Sequence, residues 1–368
     1  MAQCRNGGLG YNYAVCSSCQ HVEWFGSSCG DRHCPMCLGA RQARWSQKVC
    51  ERLPDCPHFH LVFTMAPEMR EFYQRNYEVA TALFFAAMVA TLKKYHKNNW
   101  GLQGGFLSVL HTWGSALTWH PHLHVLMSSG GACCQTGRWK QVRRNFGFPV
   151  KAMSKTFRRE VVRRLEALDG ESLDWPPRAE TVEERYDWRV RLRLSKWVIY
   201  NRPALKHTRQ VVRYLARYTS RIAISNQRVK EADPEARTVR FDYKDYRDGG
   251  RIKEMTLRGG EFLRRFTRHL VPKGLRRIRS YGFLCGGTKA WREIPGAPQK
   301  PVGERAPQYA RPACRHCGAQ GWHYVICYGS TLEEAPGLRM ALSLDPTYCA
   351  STDKSCSLPS SRAGPQGG

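Results

Sequence analysis

The pattern of hydrophobic and polar positions predicts a mixed chain of strands and helices. Apolar residues that alternate with polar ones are typical of strands, and apolar residues three or four positions apart are typical of helices. The first pattern predicts strands over residues 58–64, 105–112, 121–128 and 194–200. The second predicts helices over residues 77–95 and 151–168. Together these elements indicate the α+β fold class.

Beyond a short strand expected at residues 221–225, the pattern predicts a hairpin and a helix. The hairpin joins residues 238–243 to residues 251–257 around Asp248-Gly-Gly250, and the helix covers residues 261–270. Arginines and aromatic residues are interleaved there, a mixture suited to contact with a nucleic-acid backbone and to base stacking. A plain solvated basic face explains the same pattern, so both interpretations stay open.

Three stretches interrupt these elements. Residues 169–189, which contain Trp175-Pro-Pro177 and several acids, predict a loop or insertion. Residues 295–312 are rich in Pro and Gly and predict a linker. Residues 350–368 are poor in apolar side chains and predict disorder.

The net charge of the chain indicates what kind of partner it binds. The 368 residues contain 58 Lys and Arg against 30 Asp and Glu, a formal net charge of +28. Such an excess attracts polyanions, so nucleic acid is the expected partner and an acidic membrane surface the weaker alternative. No apolar run reaches the length of a spanning helix, and no apolar core follows Met1 as in a signal peptide. We therefore expect a cytoplasmic protein without membrane segments.

The chain has 16 cysteines, and their spacing indicates metal binding. Two C-x-x-C pairs lie close together near the start of the chain, a spacing typical of a tetrahedral Zn²⁺ site. The predicted ligands are Cys16, Cys19, Cys34 and Cys37, with Cys29 and His33 as alternates. Such a closed site is usually structural. A further C-x-x-C pair, or knuckle, lies at Cys314 and Cys317, and no second pair follows it clearly. His323 or Cys327 could complete a metal site there. Metal binding and its absence are both compatible with this spacing.

The strand over residues 121–128 is unusual because one face is given to histidine. In an extended chain His120, His122 and His124 point to the same side, and His111 lies on the preceding predicted strand. The short link at residues 113–116 fits a hairpin, which would bring His111 near His122 and His124. Neutral imidazoles suit a divalent ion, including Mg²⁺ or Mn²⁺ when oxygen ligands fill the other positions. Buried core histidines are the alternative, but three at a spacing of two favour metal.

Residues 208–221 predict a helix that carries a second chemical element. Tyr214 and Tyr218 are four residues apart and lie one above the other on a helix. Alone, such a pair usually packs against a core. A nearby metal would polarise a phosphodiester as a Lewis acid, and neighbouring arginines would hold phosphates and lower the cost of a phenolate. These phosphate-binding candidates are Arg213, Arg217 and Arg221.

The chain resembles a known family at these motifs. His122-Leu-His124 followed by a helix with Tyr-x-x-x-Tyr is similar to the HUH endonuclease superfamily. Three longer strings, together with Cys34-Pro-Met-Cys37, resemble the insertion sequence 91 family of two-tyrosine, rolling-circle transposases. The strings lie at residues 110–124, 214–226 and 262–282, and the resemblance runs from about residue 16 to residue 283.

This resemblance implies a fold and a reaction. The fold would be a central antiparallel sheet with flanking helices, and residues 58–290 would form the catalytic domain after a zinc-binding domain over residues 1–57. Residues 291–368 would be linker and tail. His122 and His124, with His111 as third ligand, would bind Mg²⁺ or Mn²⁺. Tyr214 and Tyr218 would attack single-stranded DNA at a transposon end, leaving a 5′-phosphotyrosine and a free 3′-hydroxyl.

The sequence departs from the family pattern at Ser220, where relatives usually carry His, and at Ser128-Ser129, where a longer Gly run is common. Two other functions stay open. A plasmid replication initiator or relaxase would use the same site. A non-enzymatic zinc protein that binds nucleic acid would explain the charge and cysteines, but not the histidine strand or the tyrosine pair.

Overall fold

The structure is a computed structural model that consists of two compact units. One unit combines residues 1–29 with residues 311–368, and the other covers residues 30–310. The structure describes residues 4–31, 34, 37–142, 148–168, 172–202, 209, 212, 215–216, 223–285, 287–299 and 313–326.

The first unit contains a three-stranded antiparallel sheet. Its strands are β1 (Tyr11–Cys16), β2 (Val22–Gly26) and β12 (Trp322–Ile326). β1 is central, and Cys16 is paired with Trp322. The buried cluster of this unit is small: Ala14, Cys16, Cys314 and Trp322. A sheet with so little apolar core needs another source of stability.

The second unit is built on a six-stranded antiparallel sheet. Its strands are β3 (His58–Thr64), β4 (Leu102–Trp113), β5 (Trp119–Cys133), β6 (Trp139–Gln141), β7 (Val198–Arg202) and β11 (Ile278–Tyr281). The order is β11-β4-β5-β3-β7, and β6 pairs with β5. β4 and β5 are therefore interior strands, joined by a loop in which the Gly114 N–H donates to the Thr118 carbonyl.

Helices pack on the sheet. They are α1 (Leu38–Arg52), α2 (Arg70–Arg75), α3 (Tyr77–Tyr95), α4 (Val150–Glu166), α5 (Val182–Leu194), α6 (Gly259–Thr267) and α7 (Gly287–Arg292). Residues of α3, α4 and α5 form the largest buried cluster with Leu110, Leu123 and Val125 of the sheet. A second cluster joins residues of α1 to Leu107 and Leu126. Since side chains alternate along a strand, the two clusters cover opposite faces of the sheet.

A second small sheet contains the predicted hairpin. Its strands are β8 (Val229–Asp233), β9 (Thr238–Asp245) and β10 (Arg251–Arg258), in the order β10-β9-β8. One side packs through the fully buried Phe241 onto Phe262 of α6. Trp113 and Leu117, at the end of β4 and in the loop before β5, belong to the same cluster.

The predicted α+β class with a central antiparallel sheet is confirmed, with three differences in its elements. Residues 182–194 form α5, although residues 169–189 were predicted to be a loop. The helix begins at a capping box, in which Thr181 and Glu184 each bond the other's backbone N–H. The strand predicted at residues 221–225 is not found among residues 223–225. Residues 322–326, which follow the predicted linker, form the strand β12 and pair with β1.

The two units also divide the chain differently from the predicted boundaries at residues 57 and 290. α1 belongs to the second unit, because Val49 and Leu53 are buried in the cluster that contains Leu107. Residues 313–326 belong to the first unit, because they pair with its N-terminal strand.

In the described part of the chain, no helix combines the length and the apolar composition needed to cross a bilayer.

Candidate metal centre

Three histidines meet on one face of the central sheet. His111 of β4 is directly paired with His122 of β5, and Val109 is paired with His124. The ring centroids of His111 lie 5.0 Å from His122 and 4.3 Å from His124, and those of His122 and His124 are 4.9 Å apart. One ring nitrogen from each lies within 4.8 Å of the others. The expected hairpin thus brings these three imidazoles together.

Hydrogen bonds orient two of the three rings. Nδ1 of His122 donates to the His120 carbonyl at 2.7 Å, which leaves Nε2 with a free lone pair. Nδ1 of His124 lies 2.9 Å from Nε2 of His60, a buried residue of the neighbouring strand β3. Metal-binding histidines usually use one ring nitrogen for the ion and bond the other to a partner of this kind.

Burial keeps the imidazoles neutral. Desolvation, reinforced by neighbouring imidazoles and by Arg277, holds the pKa of His111 well below its usual 6.5. Desolvation also lowers the pKa of His122 to about 4. Neutral imidazole is the form that binds metal, so at pH 7 this donor set fits a divalent ion. With only three nitrogen donors, further coordination positions stay available for water or phosphate oxygens.

His120, the remaining histidine of the strand, is half-buried at the strand entrance. Its pKa is lowered by burial and by the nearby Arg70. Arg70 and Arg277 therefore place positive charge near the histidines, and neither was singled out from the sequence.

The predicted nucleophiles Tyr214 and Tyr218 and the predicted phosphate ligands Arg213, Arg217 and Arg221 lie outside the described residues. Among the described residues of the same segment, Val212 and Leu215 are helical and fully buried. They belong to the cluster that contains Leu107 and Leu126. Leu107 and Leu126 are paired with each other and share a face with the histidines, because odd positions of β4 and even positions of β5 point to one side.

A basic groove follows the sheet edge next to β4. It has a volume of about 870 Å³ and is lined by Lys273, Arg276, Arg279 and Tyr281, with Glu78 as the acidic residue among its lining side chains. No carboxylate of the described chain lies within salt-bridge distance of those three cations. The Arg279 guanidinium lies 4.2 Å from the centre of the Phe85 ring. Ile278, also in the groove, is paired with Val109, so the groove adjoins the strand that carries His111.

Arg240 of the small sheet and Arg264 and Arg265 of α6 are different, because acids of the same surface pair with them. Arg240 binds Glu231 and Glu254, and Arg264 and Arg265 both bind Glu261. Of the two interpretations that the sequence left open for this region, the ion pairs favour the plain solvated face.

The predicted single zinc site of Cys16, Cys19, Cys34 and Cys37 is wrong as a set. Cys16 and Cys19 cluster with Cys314 and Cys317 in the first unit. Cys16 and Cys19 lie at the turn between β1 and β2, and β1 pairs with β12, which follows Cys314 and Cys317 in the chain. Strand pairing therefore brings together cysteines that are far apart in the sequence.

Backbone N–H groups form hydrogen bonds within two further cysteine pairs, one pair in each unit. The Cys29 N–H donates to Sγ of Cys4 at 3.5 Å in the first unit. In the second unit, the Cys37 N–H donates to the Cys34 carbonyl at 3.2 Å. Zinc binding by Cys34 and Cys37, or by the alternate Cys29, stays a prediction, and the alternate ligand His33 lies outside the described residues.

Comparison with known proteins shows the family. A family model described as "Putative transposase" matches residues 105–291. A model of the transposase zinc-binding domain of the insertion sequence 91 type matches residues 1–65. The chain belongs to the insertion sequence 91 family of transposases. The first match includes both histidine strands and the tyrosine segment, and the second includes Cys16, Cys19, Cys34 and Cys37.

Two relatives of this transposase cover most of its length. It is 38% identical over 287 residues to "Putative transposase y4qJ" of Sinorhizobium fredii (strain NBRC 101917 / NGR234), which covers 76% of this chain and 72% of the relative. It is 33% identical over 291 residues to the transposase for insertion sequence element IS801 of Pseudomonas savastanoi pv. phaseolicola, covering 77% of this chain and 68% of that one.

One solved structure is also similar: the conjugative relaxase TrwC in complex with oriT DNA, in a metal-free form. The TM-score is 0.21 at 13% identity, and the match covers 44% of this chain and 71% of that one. A similarity of this size supports no argument about the fold or function of the transposase.

Proposed function

We propose that this transposase cuts and joins single-stranded DNA through a 5′-phosphotyrosine, with Tyr214 and Tyr218 as nucleophiles and His111, His122 and His124 as ligands of Mg²⁺ or Mn²⁺. The proposal is supported by one observation: Val212 and Leu215 belong to the same buried cluster as Leu107 and Leu126. These leucines share the sheet face of the histidines.

In the proposed reaction, a tyrosine oxygen forms a bond to the phosphorus of a phosphodiester. The bond from phosphorus to the 3′ oxygen breaks, the phenol loses its proton, and the 3′ oxygen gains one. The bound ion supplies Lewis-acid polarisation of the phosphate. The phosphotyrosine keeps the energy of the broken bond, so a 3′-hydroxyl can later attack it and release the tyrosine without an external energy source.

The chain's own side chains have two roles in this proposal. The imidazoles, kept neutral by burial, would hold the ion on the sheet, while hydrogen bonds from His124 to the His60 ring and from His122 to the His120 carbonyl fix two of the rings. Arg70 and Arg277 add positive charge beside them, which stabilises a phosphate near the site. The second tyrosine allows a second strand to be held before the first is released.

We further propose that the DNA strand reaches the site along the basic groove of Lys273, Arg276 and Arg279. These cations have no acidic partner in the described chain, so they are available to phosphates. Tyr281 offers an aromatic surface in the same groove, and such surfaces stack bases without regard to sequence.

Denaturing electrophoresis with a labelled oligonucleotide and Mn²⁺ tests the reaction. A 3′-end label should appear in a covalent protein adduct, and a 5′-end label in a shortened product. Both should vanish in the Tyr214→Phe/Tyr218→Phe variant, whose DNA binding should be unchanged. An adduct formed equally well by the double variant would overturn the assignment of the nucleophiles. Binding without any adduct from the wild type would support a non-enzymatic DNA-binding protein.

The alternative of a replication initiator or relaxase uses the same chemistry on another substrate. A comparison of oligonucleotides from the ends of the element with oligonucleotides from a plasmid origin separates the two. The family membership predicts cleavage of the element ends.

A further inference from the structure

Two C-x-x-C knuckles from opposite ends of the chain face each other in the first unit. Sγ of Cys16 lies 3.6 Å from Sγ of Cys317, and Sγ of Cys19 lies 3.7 Å from Sγ of Cys314. All four sulfur atoms lie within 4.8 Å of one another. Four thiolates at about 2.3 Å from a tetrahedral Zn²⁺ have sulfur atoms about 3.8 Å apart. The two cross-knuckle distances therefore match those of a zinc tetrahedron.

The two knuckles have the same backbone conformation. In each, the N–H of the first cysteine donates to the carbonyl five residues on: Cys16 to His21 at 2.9 Å, and Cys314 to Ala319 at 2.7 Å. In each, the N–H four residues on donates back to the first cysteine's carbonyl, at 3.0 Å from Gln20 and 2.8 Å from Gly318.

The residue four positions after the first cysteine has a positive φ in both turns, 59° at Gln20 and 76° at Gly318. A left-handed conformation is unfavourable for a glutamine, so the first turn adopts it in spite of its sequence. The two turns therefore share their hydrogen bonds and their left-handed residue, and a repeated turn of this kind suits the two halves of a four-thiolate site.

The surrounding sheet holds the knuckles in register. β1 ends at Cys16 and β12 begins at Trp322, which is paired with Cys16. The Ser17 N–H donates across the two turns to the Gly321 carbonyl at 3.0 Å. Besides the thiols, the buried cluster around this site contains only Ala14 and Trp322 among the described residues, and Tyr13 is a further buried side chain of β1.

We propose that Cys16, Cys19, Cys314 and Cys317 bind one structural Zn²⁺ that joins the two ends of the transposase. The matched zinc-binding model ends at residue 65, so it assigns no ligand to the C-terminal knuckle. The four thiols lose their protons on binding, and no redox partner is needed. Since the apolar core is so small, metal binding supplies much of the folding free energy of this unit.

Zinc content per chain tests the proposal in the full-length protein. Cys314→Ser/Cys317→Ser should contain one zinc fewer than the wild type, and so should Cys16→Ser/Cys19→Ser. The quadruple variant should lose no more than either double variant, because all four thiols serve one ion. The matched control, Cys133→Ser/Cys134→Ser, removes two thiols of the second unit and should keep the wild-type zinc content.

A measurement on the unmodified protein guards against variants that do not fold. With zinc bound, Cys16, Cys19, Cys314 and Cys317 should resist alkylation, and chelation should make all four reactive together, as read by mass spectrometry of peptides. Full zinc content in Cys314→Ser/Cys317→Ser, or alkylation of Cys314 and Cys317 while Cys16 and Cys19 stay protected, would overturn the proposal. Neither readout depends on DNA cleavage, so the result is separate from the proposed nicking reaction.

Discussion

His60 of β3 lies outside the three-histidine cluster but contacts one of its rings. Its Nε2 lies 2.9 Å from Nδ1 of His124, and both side chains are buried. We propose that this hydrogen bond positions His124 so that its other nitrogen faces the ion. Partners of this kind typically contribute 10- to 100-fold to metal affinity.

We expect His60→Ala to weaken Mn²⁺ binding by about 10- to 100-fold, measured by titration calorimetry. His60→Gln can keep a polar atom near the lost nitrogen and should retain more affinity than His60→Ala. The matched control is His58→Ala, which removes a buried histidine from the same strand whose Nδ1 bonds the Cys56 carbonyl. An equal loss in both alanine variants would indicate general destabilisation of β3 and contradict the positioning role.

The sequence motif that reveals His122 and His124 also occurs at His58-Phe-His60, yet only the first was singled out. Alternation within one strand is a local property and can be read from the sequence. Whether a histidine of another strand lies beside this one depends on strand pairing. His60 and His124 are 64 residues apart in the sequence and meet only because their strands pair. The role of His60 could therefore not be read from its own segment.

At the scale of elements, the decisive packing is that of Val212 and Leu215 in the cluster on the histidine face. Leu215 and Leu126 are fully buried in this cluster, whereas Leu110 points to the opposite face and belongs to the largest cluster. Changes at Leu215 and Leu126 should therefore act on shared packing.

A double-mutant cycle on Leu215→Ala and Leu126→Ala should show a coupling free energy of about 0.5–3 kcal/mol, because residues of one cluster share a cavity. Each single change should cost about 2–5 kcal/mol. The control cycle combines Leu215→Ala with Leu110→Ala and should be additive within about 0.5 kcal/mol. Denaturant unfolding provides the measurement, and additivity in the first cycle would count against docking on this face.

The elements differ in how far local sequence determines them. β3, β4 and β5 follow the two-residue alternation and were predicted closely. α5 begins at a local capping box, but it was predicted as a loop because Trp175-Pro-Pro177 and the nearby acids are typical of loops. The zinc knuckles show the limit most clearly, because Cys16 and Cys317 meet across 301 positions, and spacing near the start of the chain favoured the wrong partners.

At the scale of the whole molecule, the net charge of +28 does not act uniformly. Arg240 of the small sheet and Arg264 and Arg265 of α6 are paired with glutamates, whereas Lys273, Arg276 and Arg279 have no acidic partner in the described chain. Charge count alone predicts a polyanion partner, but only the pairing of each cation distinguishes a binding surface from a solvated one.

We expect Lys273→Gln/Arg276→Gln/Arg279→Gln to weaken binding of single-stranded DNA and to reduce its salt dependence. Each lost phosphate contact lowers the slope of log affinity against log salt by about 0.7, so three contacts lower it by about 2. Arg240→Gln/Arg264→Gln/Arg265→Gln changes the net charge equally but removes cations already paired with glutamates. Fluorescence anisotropy at several salt concentrations should show a nearly unchanged slope for this control, and equal slopes for both triple variants would refute the groove.

The proposed reaction requires both phenols to lie beside an ion held by His111, His122 and His124. Fluorine resonances of 3-fluorotyrosine at Tyr214 and Tyr218 test it directly, because bound Mn²⁺ broadens signals of nearby nuclei and Mg²⁺ does not. One equivalent of Mn²⁺ should broaden both resonances severely in the wild type and leave them sharp in His122→Ala. Sharp resonances at both tyrosines, with Mn²⁺ bound at a site that His122→Ala abolishes, would contradict the account.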